Sequence, residues 1–193
     1  MPNNNVFNPL SQPVYTTNTN PYTSPGIVAP PENNAGNTGN LFNAGSTNST
    51  TLGLLGGSVI ATVQLANPAG SGKTLYVSRI SGGITVALNL LSTFSGSMSL
   101  TANGTLTSPT TLTPANSNLS SSNTSVATVR FSVAVPSSAT SVMAMPLQVG
   151  PFVSNEFGRY VIPPNQAINL SVSGSLTVGG LMASTAYFAW WEV

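Results

Sequence analysis

Lys73, Arg79, Arg130, Arg159, Glu32, Glu156 and Glu192 are the only charged residues in this 193-residue chain, and no His, Cys or Asp accompanies them. Chemistry that depends on an imidazole base, a thiolate or a paired aspartate therefore has nothing to start from. Glycoside hydrolysis needs two carboxyls flanking one bond, and only Glu156 and Glu192 come into question, provided the fold brings them together. The simpler expectation for Glu156 is a local pair with Arg159. Metal binding would have to use oxygen ligands alone, and no acidic cluster supports it. Gly70-Ser71-Gly72-Lys73-Thr74 ends like a phosphate-cradling loop, G-x-x-x-x-G-K-[ST], but the first glycine of that motif is absent. Such a loop also requires a helix after the Lys, whereas Leu75-Tyr76-Val77-Ser78-Arg79-Ile80 alternates like a strand. The expectation is a chain that is not an enzyme and takes no cofactor.

Charged residues make up only 4% of the chain and the net charge is +1, far below the roughly 25% usual in soluble domains. Four scattered basic residues form no stripe along a phosphate backbone, which argues against nucleic acid. No apolar run approaches the ~20 residues that span a bilayer, so an integral membrane protein is not expected. Little colloidal repulsion remains to keep a free monomer in solution, which points to life in an assembly of identical copies, a trimer or a filament. Met1-Pro2-Asn3-Asn4-Asn5 lacks the pattern of a secretory signal, which leaves a product made in the cytoplasm or a mature chain whose signal was removed, and Met1 favours the first. Sequons at Asn48, Asn103, Asn118, Asn123 and Asn169 follow by chance from the Asn, Ser and Thr content.

The elements that would position any site are strands. Residues 1–50 are rich in Asn, Thr, Pro and Gly and read as an extended N-terminal arm, with Phe7, Tyr15, Tyr22 and Phe42 spaced along it as anchors on a partner. From Thr51 onward the texture is period-two alternation: Val59–Leu65, Thr74–Ile80, Ile84–Leu91, Phe94–Ala102, Val126–Val135, Val142–Val149, Arg159–Ile162, Ala167–Val178 and Thr185–Val193. Gly82-Gly83 reads as punctuation between two strands, Asn103-Gly104 as a type I′ turn, and residues 107–125 as a surface loop. Residues 51–193 are thus expected to form one all-β antiparallel β-sandwich, a jelly roll, with immunoglobulin-like topology as the alternative. The last strand carries both tryptophans. Alternation puts Phe188 and Trp190 on one face, and Tyr187, Ala189 and Trp191 on the other. The second set, Trp191 above all, is expected to meet a neighbour, a sugar-binding platform of Tyr187, Trp190 and Trp191 being the alternative.

Two stretches resemble known families. Asn67-Pro68-Ala69-Gly70-Ser71-Gly72-Lys73-Thr74-Leu75-Tyr76-Val77-Ser78-Arg79-Ile80 is similar to a strand–loop–strand segment of tailed-bacteriophage structural proteins. Tyr160-Val161-Ile162-Pro163-Pro164-Asn165-Gln166-Ala167-Ile168, followed by an aromatic, Glu-bearing last strand, resembles the ends of small jelly-roll virion subunits. The resemblance implies a capsid decoration, cement or head-fibre role in a virion, with a capsid protein as partner. The chain is also similar to jelly-roll subunits of spore-appendage filaments, which would place it on a cell or spore surface, although those connectors use Cys. A carbohydrate or host-receptor binding module is the remaining alternative.

Overall fold

A computed structural model describes residues 31–87 and 92–193. The expected contacts at Phe7, Tyr15 and Tyr22, and the end of the expected strand at residues 88–91, lie outside these residues. A single short helix, α1 (Pro31–Asn37), leads into twelve strands: β1 (Leu41–Thr51), β2 (Gly57–Asn67), β3 (Leu75–Ala87), β4 (Phe94–Ala102), β5 (Thr110–Leu112), β6 (Ala115–Asn116), β7 (Thr128–Ser132), β8 (Thr140–Leu147), β9 (Gly150–Asn155), β10 (Val161–Ile162), β11 (Gln166–Leu176) and β12 (Leu181–Glu192). They form two antiparallel sheets packed face to face. The first runs β10-β3-β12-β1-β6, with β9 also on β3; the second runs β5-β7-β2-β11-β4-β8. Among the long strands the order is therefore β9-β3-β12-β1 against β8-β4-β11-β2. Successive long strands alternate between the sheets, except that β4 and β8 lie side by side in the second.

The alternation in the sequence explains the layers. Inward residues of β2 (Val59, Ala61, Val63, Leu65), β4 (Met98, Leu100), β11 (Ile168, Leu170, Val172) and β12 (Met182, Ala186, Phe188, Trp190) form one buried apolar core. The outward positions of β4 and β11 are Ser95, Ser97, Ser99 and Thr101 opposite Ser175, Ser173, Ser171 and Asn169, in register. A one-residue slip would exchange these sets, so the pairing is strongly specified.

Three expectations are corrected. The sandwich takes in residues that the expected boundary at Thr51 left outside. β1 pairs along its whole length with β12, from Leu41↔Trp191 to Thr51↔Leu181. Phe42, expected on the arm as a partner contact, is 1% exposed within this chain's own core, with its ring centroid 6.2 Å from that of Trp190. Gly82-Gly83 does not divide two strands, because β3 runs through it unbroken. A Cβ on Gly82 would sit 2.1 Å from the Thr185 carbonyl oxygen and one on Gly83 2.7 Å from that of Gly150, so the pair marks close backbone approach rather than a break. The segment 107–125 is not only a surface loop. It contains β5, which extends the second sheet through β7, and β6, which pairs with β1 in the first. The Asn103-Gly104 turn does have positive φ at both positions, 56° and 89°, as type I′ requires. The expected strand Val126–Val135 shortens to β7, leaving Val133 and Val135 exposed.

Candidate functional site

Apart from Arg130 on β7 of the second sheet, the few charged residues are gathered at one end of the first sheet, around a β-bulge. Ala189 of β12 pairs with Arg79 and Trp190 with Val77, which leaves Ser78 as the extra residue of β3. The Ser78 carbonyl, freed from the ladder, accepts the N–H groups of Glu156 (2.7 Å) and Phe157 (3.0 Å). Its hydroxyl donates to Glu32 of α1. One bulged residue thus ties the first helix and the Glu156–Tyr160 turn to the strand.

Glu156 is buried. Ser154 Oγ donates to its Oε1 at 2.7 Å, and Arg159 Nη1 lies 3.5 Å from its Oε2. The local pair expected from sequence is present, although the exposed Arg159 makes no hydrogen bond to that oxygen. Glu192 is buried in a second node. Ser125 Oγ and Trp190 Nε1 donate to its Oε1, the Val126 N–H is shared between its two oxygens at 3.2 and 3.3 Å, and Lys73 Nζ approaches Oε2 at 3.4 Å. Every donor around Glu192 belongs to a loop or strand end that needs fixing: the turn before β3, the chain entering β7, and the last core tryptophan. Each carboxylate is held by its own set of partners, and the chemistry such a set performs is cross-linking of the fold.

Lys73 is followed by β3, not by a helix, and its ammonium faces Glu192. That geometry cannot cradle a phosphate. No group of three or more Asp, Glu, His or Cys that could hold a metal ion occurs among the described residues. No described helix is long and apolar enough to cross a membrane.

The expected assembly contact Trp191 is corrected. It points outward from the first sheet as alternation requires, yet only 6% of it is exposed. Its ring stacks on Tyr76 with centroids 5.5 Å apart and planes 8° from parallel, and Gly158 closes over it so tightly that a Cβ there would come within 2.6 Å of the indole. Trp190 is fully buried, so two of the three rings of the supposed sugar platform are inside. Tyr187 alone stays at the surface, 42% exposed.

Two concave sites stand out among the described residues. One, of about 320 Å³, lies at the end of the second sheet between the Asn67–Gly70, Asn103-Gly104 and Asn165-Gln166 turns, with Gln64, Thr128 and Arg130 on its wall. The other, about 380 Å³, runs over the outer face of the first sheet, along Ser81–Thr85 between Tyr187 and the Pro151-Phe152-Val153 stretch of β9. It exists because of glycines. The Tyr187 ring lies over Gly45, where a Cβ would be 2.2 Å from it, and Gly83 adds no side chain to the floor. Sequence reasoning missed this groove, although the Gly-Gly pair inside an alternating run was its signal.

No family model, curated protein or solved structure matches the chain. Its sites therefore have to be read from their own chemistry.

Proposed function

We propose that this chain is a non-enzymatic structural subunit, of the capsid decoration or cement type found on virions, which assembles through its β-sandwich and N-terminal segment. The observation that carries this reading is the state of the carboxylates. Glu32, Glu156 and Glu192 are each engaged by hydroxyl or N–H donors of the fold, and in a chain without His, Cys or Asp no other general base is at hand. The outer faces are almost free of charge, a composition that favours contact with other protein over life as a dispersed monomer.

The strand order supports the jelly-roll reading of the sandwich. β9-β3-β12-β1 facing β8-β4-β11-β2, with successive long strands changing sheet at every step except β4 to β8, matches two Greek keys wound together. Immunoglobulin-like sandwiches instead keep their first two strands in one sheet. The partner classes are copies of this chain and a shell protein, and the filament subunit differs from the decoration protein in having an open rather than a closed symmetry. Sedimentation of the full chain, followed by microscopy of the associated species, tests the proposal. Discrete oligomers support the decoration type, continuous fibres move the reading to a filament, and a lone monomer at all concentrations overturns it.

A second reading rests on the amide-lined pocket beside Arg130. Gln64, Asn103, Asn165 and Gln166 with one guanidinium suit a polar, carboxylate-bearing saccharide. Glycan-array binding by the full chain that disappears in Arg130→Ala would favour a binding module, and a blank array would remove it.

A further inference from the structure

The two flanks of the sandwich are finished differently. On one, the segment that carries β5, β6 and β7 adds strands to both β1 and β2. On the other, β8 ends the second sheet and the following strand β9 lies at the margin of the first, and no described strand pairs with the outer side of either. Natural edge strands are usually protected by charge, by proline or by being short, and β8 and β9 carry one proline each, Pro146 and Pro151. Here no charged residue occurs between Arg130 and Glu156. Val142, Met145, Val149 and Val153 are exposed along this flank, Val153 by 64%. The apolar groove described above opens beside it, with Val153, Ser81 and Tyr187 in one cross-strand row. An apolar groove next to an uncharged, unpaired strand edge matches one kind of ligand: an extended, uncharged peptide with an isolated aromatic side chain, whose backbone pairs while its ring fills the groove.

The sequence contains such a peptide. Residues 1–30 carry no charged side chain, are spaced by prolines, and present Phe7, Tyr15 and Tyr22 singly between polar residues. The described chain begins at Pro31, and the adjoining Glu32 is bonded to Ser78, on the same strand that floors the groove from Ser81 onward. Thirty residues span up to roughly 100 Å at about 3.3 Å each, enough to reach a neighbouring molecule. We propose that the β9 flank and its groove receive residues 1–30 of a second copy of this chain, an aromatic ring of that segment lying over Ser81 between Tyr187 and Val153. This rests on the reading of the protein as an assembling subunit and specifies which surface assembles. Because Tyr76 and Gly158 already cover Trp191, the groove, not the terminal tryptophan, is the aromatic contact on the outer face. With a volume near the lower end of the ~300–1,000 Å³ range of ligand pockets, the groove fits one side chain and its flanking backbone rather than a folded domain.

The test uses the full chain with p-benzoylphenylalanine in place of Val153, prepared in isotopically light and heavy forms, mixed and irradiated. The expected result is cross-links from position 153 into residues 1–30, including light–heavy pairs. Cross-links only between like isotopes would mean that the segment folds back on its own chain. Cross-links into β8 or β9 would mean flank-to-flank pairing. Either overturns the proposal. As a second measurement, Ser81→Trp, which places a ring in the groove floor, should weaken self-association by about tenfold or more, the loss of one well-buried aromatic contact, while leaving Tm unchanged. Self-association that survives Ser81→Trp undiminished, with Tm also unchanged, overturns the groove but leaves the assembling subunit standing. A full chain that never associates overturns both.

Discussion

Replacing Glu192 by Ala should be among the most damaging single changes at any polar position of this protein. The side chain lies in the interior and accepts from Ser125 Oγ, the Val126 N–H and Trp190 Nε1, with Lys73 alongside at 3.4 Å. Hydrogen bonds to a charged group are worth about 1.5–3 kcal/mol each, and a buried donor left without a partner costs about 1–3 kcal/mol. Trp190 is wholly buried, so its Nε1–H has no route to water once the carboxylate is gone. Ser125 and Val126 are partly open to solvent and recover some of their loss. The sum, offset by the desolvation that the carboxylate no longer suffers, is about 3–5 kcal/mol. At roughly 2–4 °C per kcal/mol for a domain of this size, Tm should fall by about 10 °C. Lys73→Met should cost only about 0.5–1 kcal/mol, because the ammonium is a third exposed and solvent screens the pair. Glu192→Gln, which keeps Oε1 as acceptor for Trp190 and Ser125, should fall between the two. Thermal and urea unfolding of the three variants provides the comparison. Hydrogen exchange at Val126 should rise in Glu192→Ala before global unfolding. A loss below about 1 kcal/mol for Glu192→Ala, or equal losses for Glu192→Ala and Lys73→Met, would refute the reasoning that hydrogen-bond donors rather than the ion pair make this node.

Three further outcomes are expected. Phe42→Ala should destabilise the chain by about 3–5 kcal/mol in urea unfolding, as for any large core aromatic; an unchanged midpoint would return Phe42 to the role of a partner contact. A chain starting at Thr51 loses β1 and uncovers the β12 edge, so it should fail to unfold cooperatively, whereas one starting at Pro31 should melt as a single transition; cooperative melting of the shorter chain would contradict the place of β1. Gly158→Val should push on the indole of Trp191, lowering stability by about 1–3 kcal/mol and shifting tryptophan emission to the red; an unaltered spectrum would mean that the turn does not cap the ring.

Much of the sandwich was legible because its long strands alternate strictly. Phe94–Ala102 was read end to end, and β2, β11 and β12 were found within a few residues, since each places apolar residues at nearly every second position on its inward face. β1 was missed for the opposite reason. Its sequence, Leu41-Phe42-Asn43-Ala44-Gly45-Ser46-Thr47-Asn48-Ser49-Thr50-Thr51, has a single large apolar inward residue, and its strand state comes from pairing with β12. Strand preference of this kind is tertiary and leaves little local trace. α1 was invisible too: Pro31 suits a first helical position, but Pro31–Asn37 has no apolar period, and its links to the rest of the chain, such as the Glu32–Ser78 and Asn118–Asn37 hydrogen bonds, come from far along the sequence. Val133 and Val135 misled in the other direction, continuing the alternation of β7 past the point where β2 offers partners. Of the candidate site, the Glu156–Arg159 pair was readable from its i, i+3 spacing. The capping of Trp191 was not, because Tyr76 and Gly158 reach it from far along the chain. Nor was the Glu192 node, whose donors come from Ser125, Val126 and Lys73.

The most direct test of the central claim is the solution mass of the full-length chain by light scattering across a dilution series, beside a chain starting at Pro31. The expected result is a species at a multiple of the 19.7 kDa monomer for the full chain, reverting to monomer when residues 1–30 are removed. A full chain that stays at the monomer mass even at high concentration would contradict an assembling subunit.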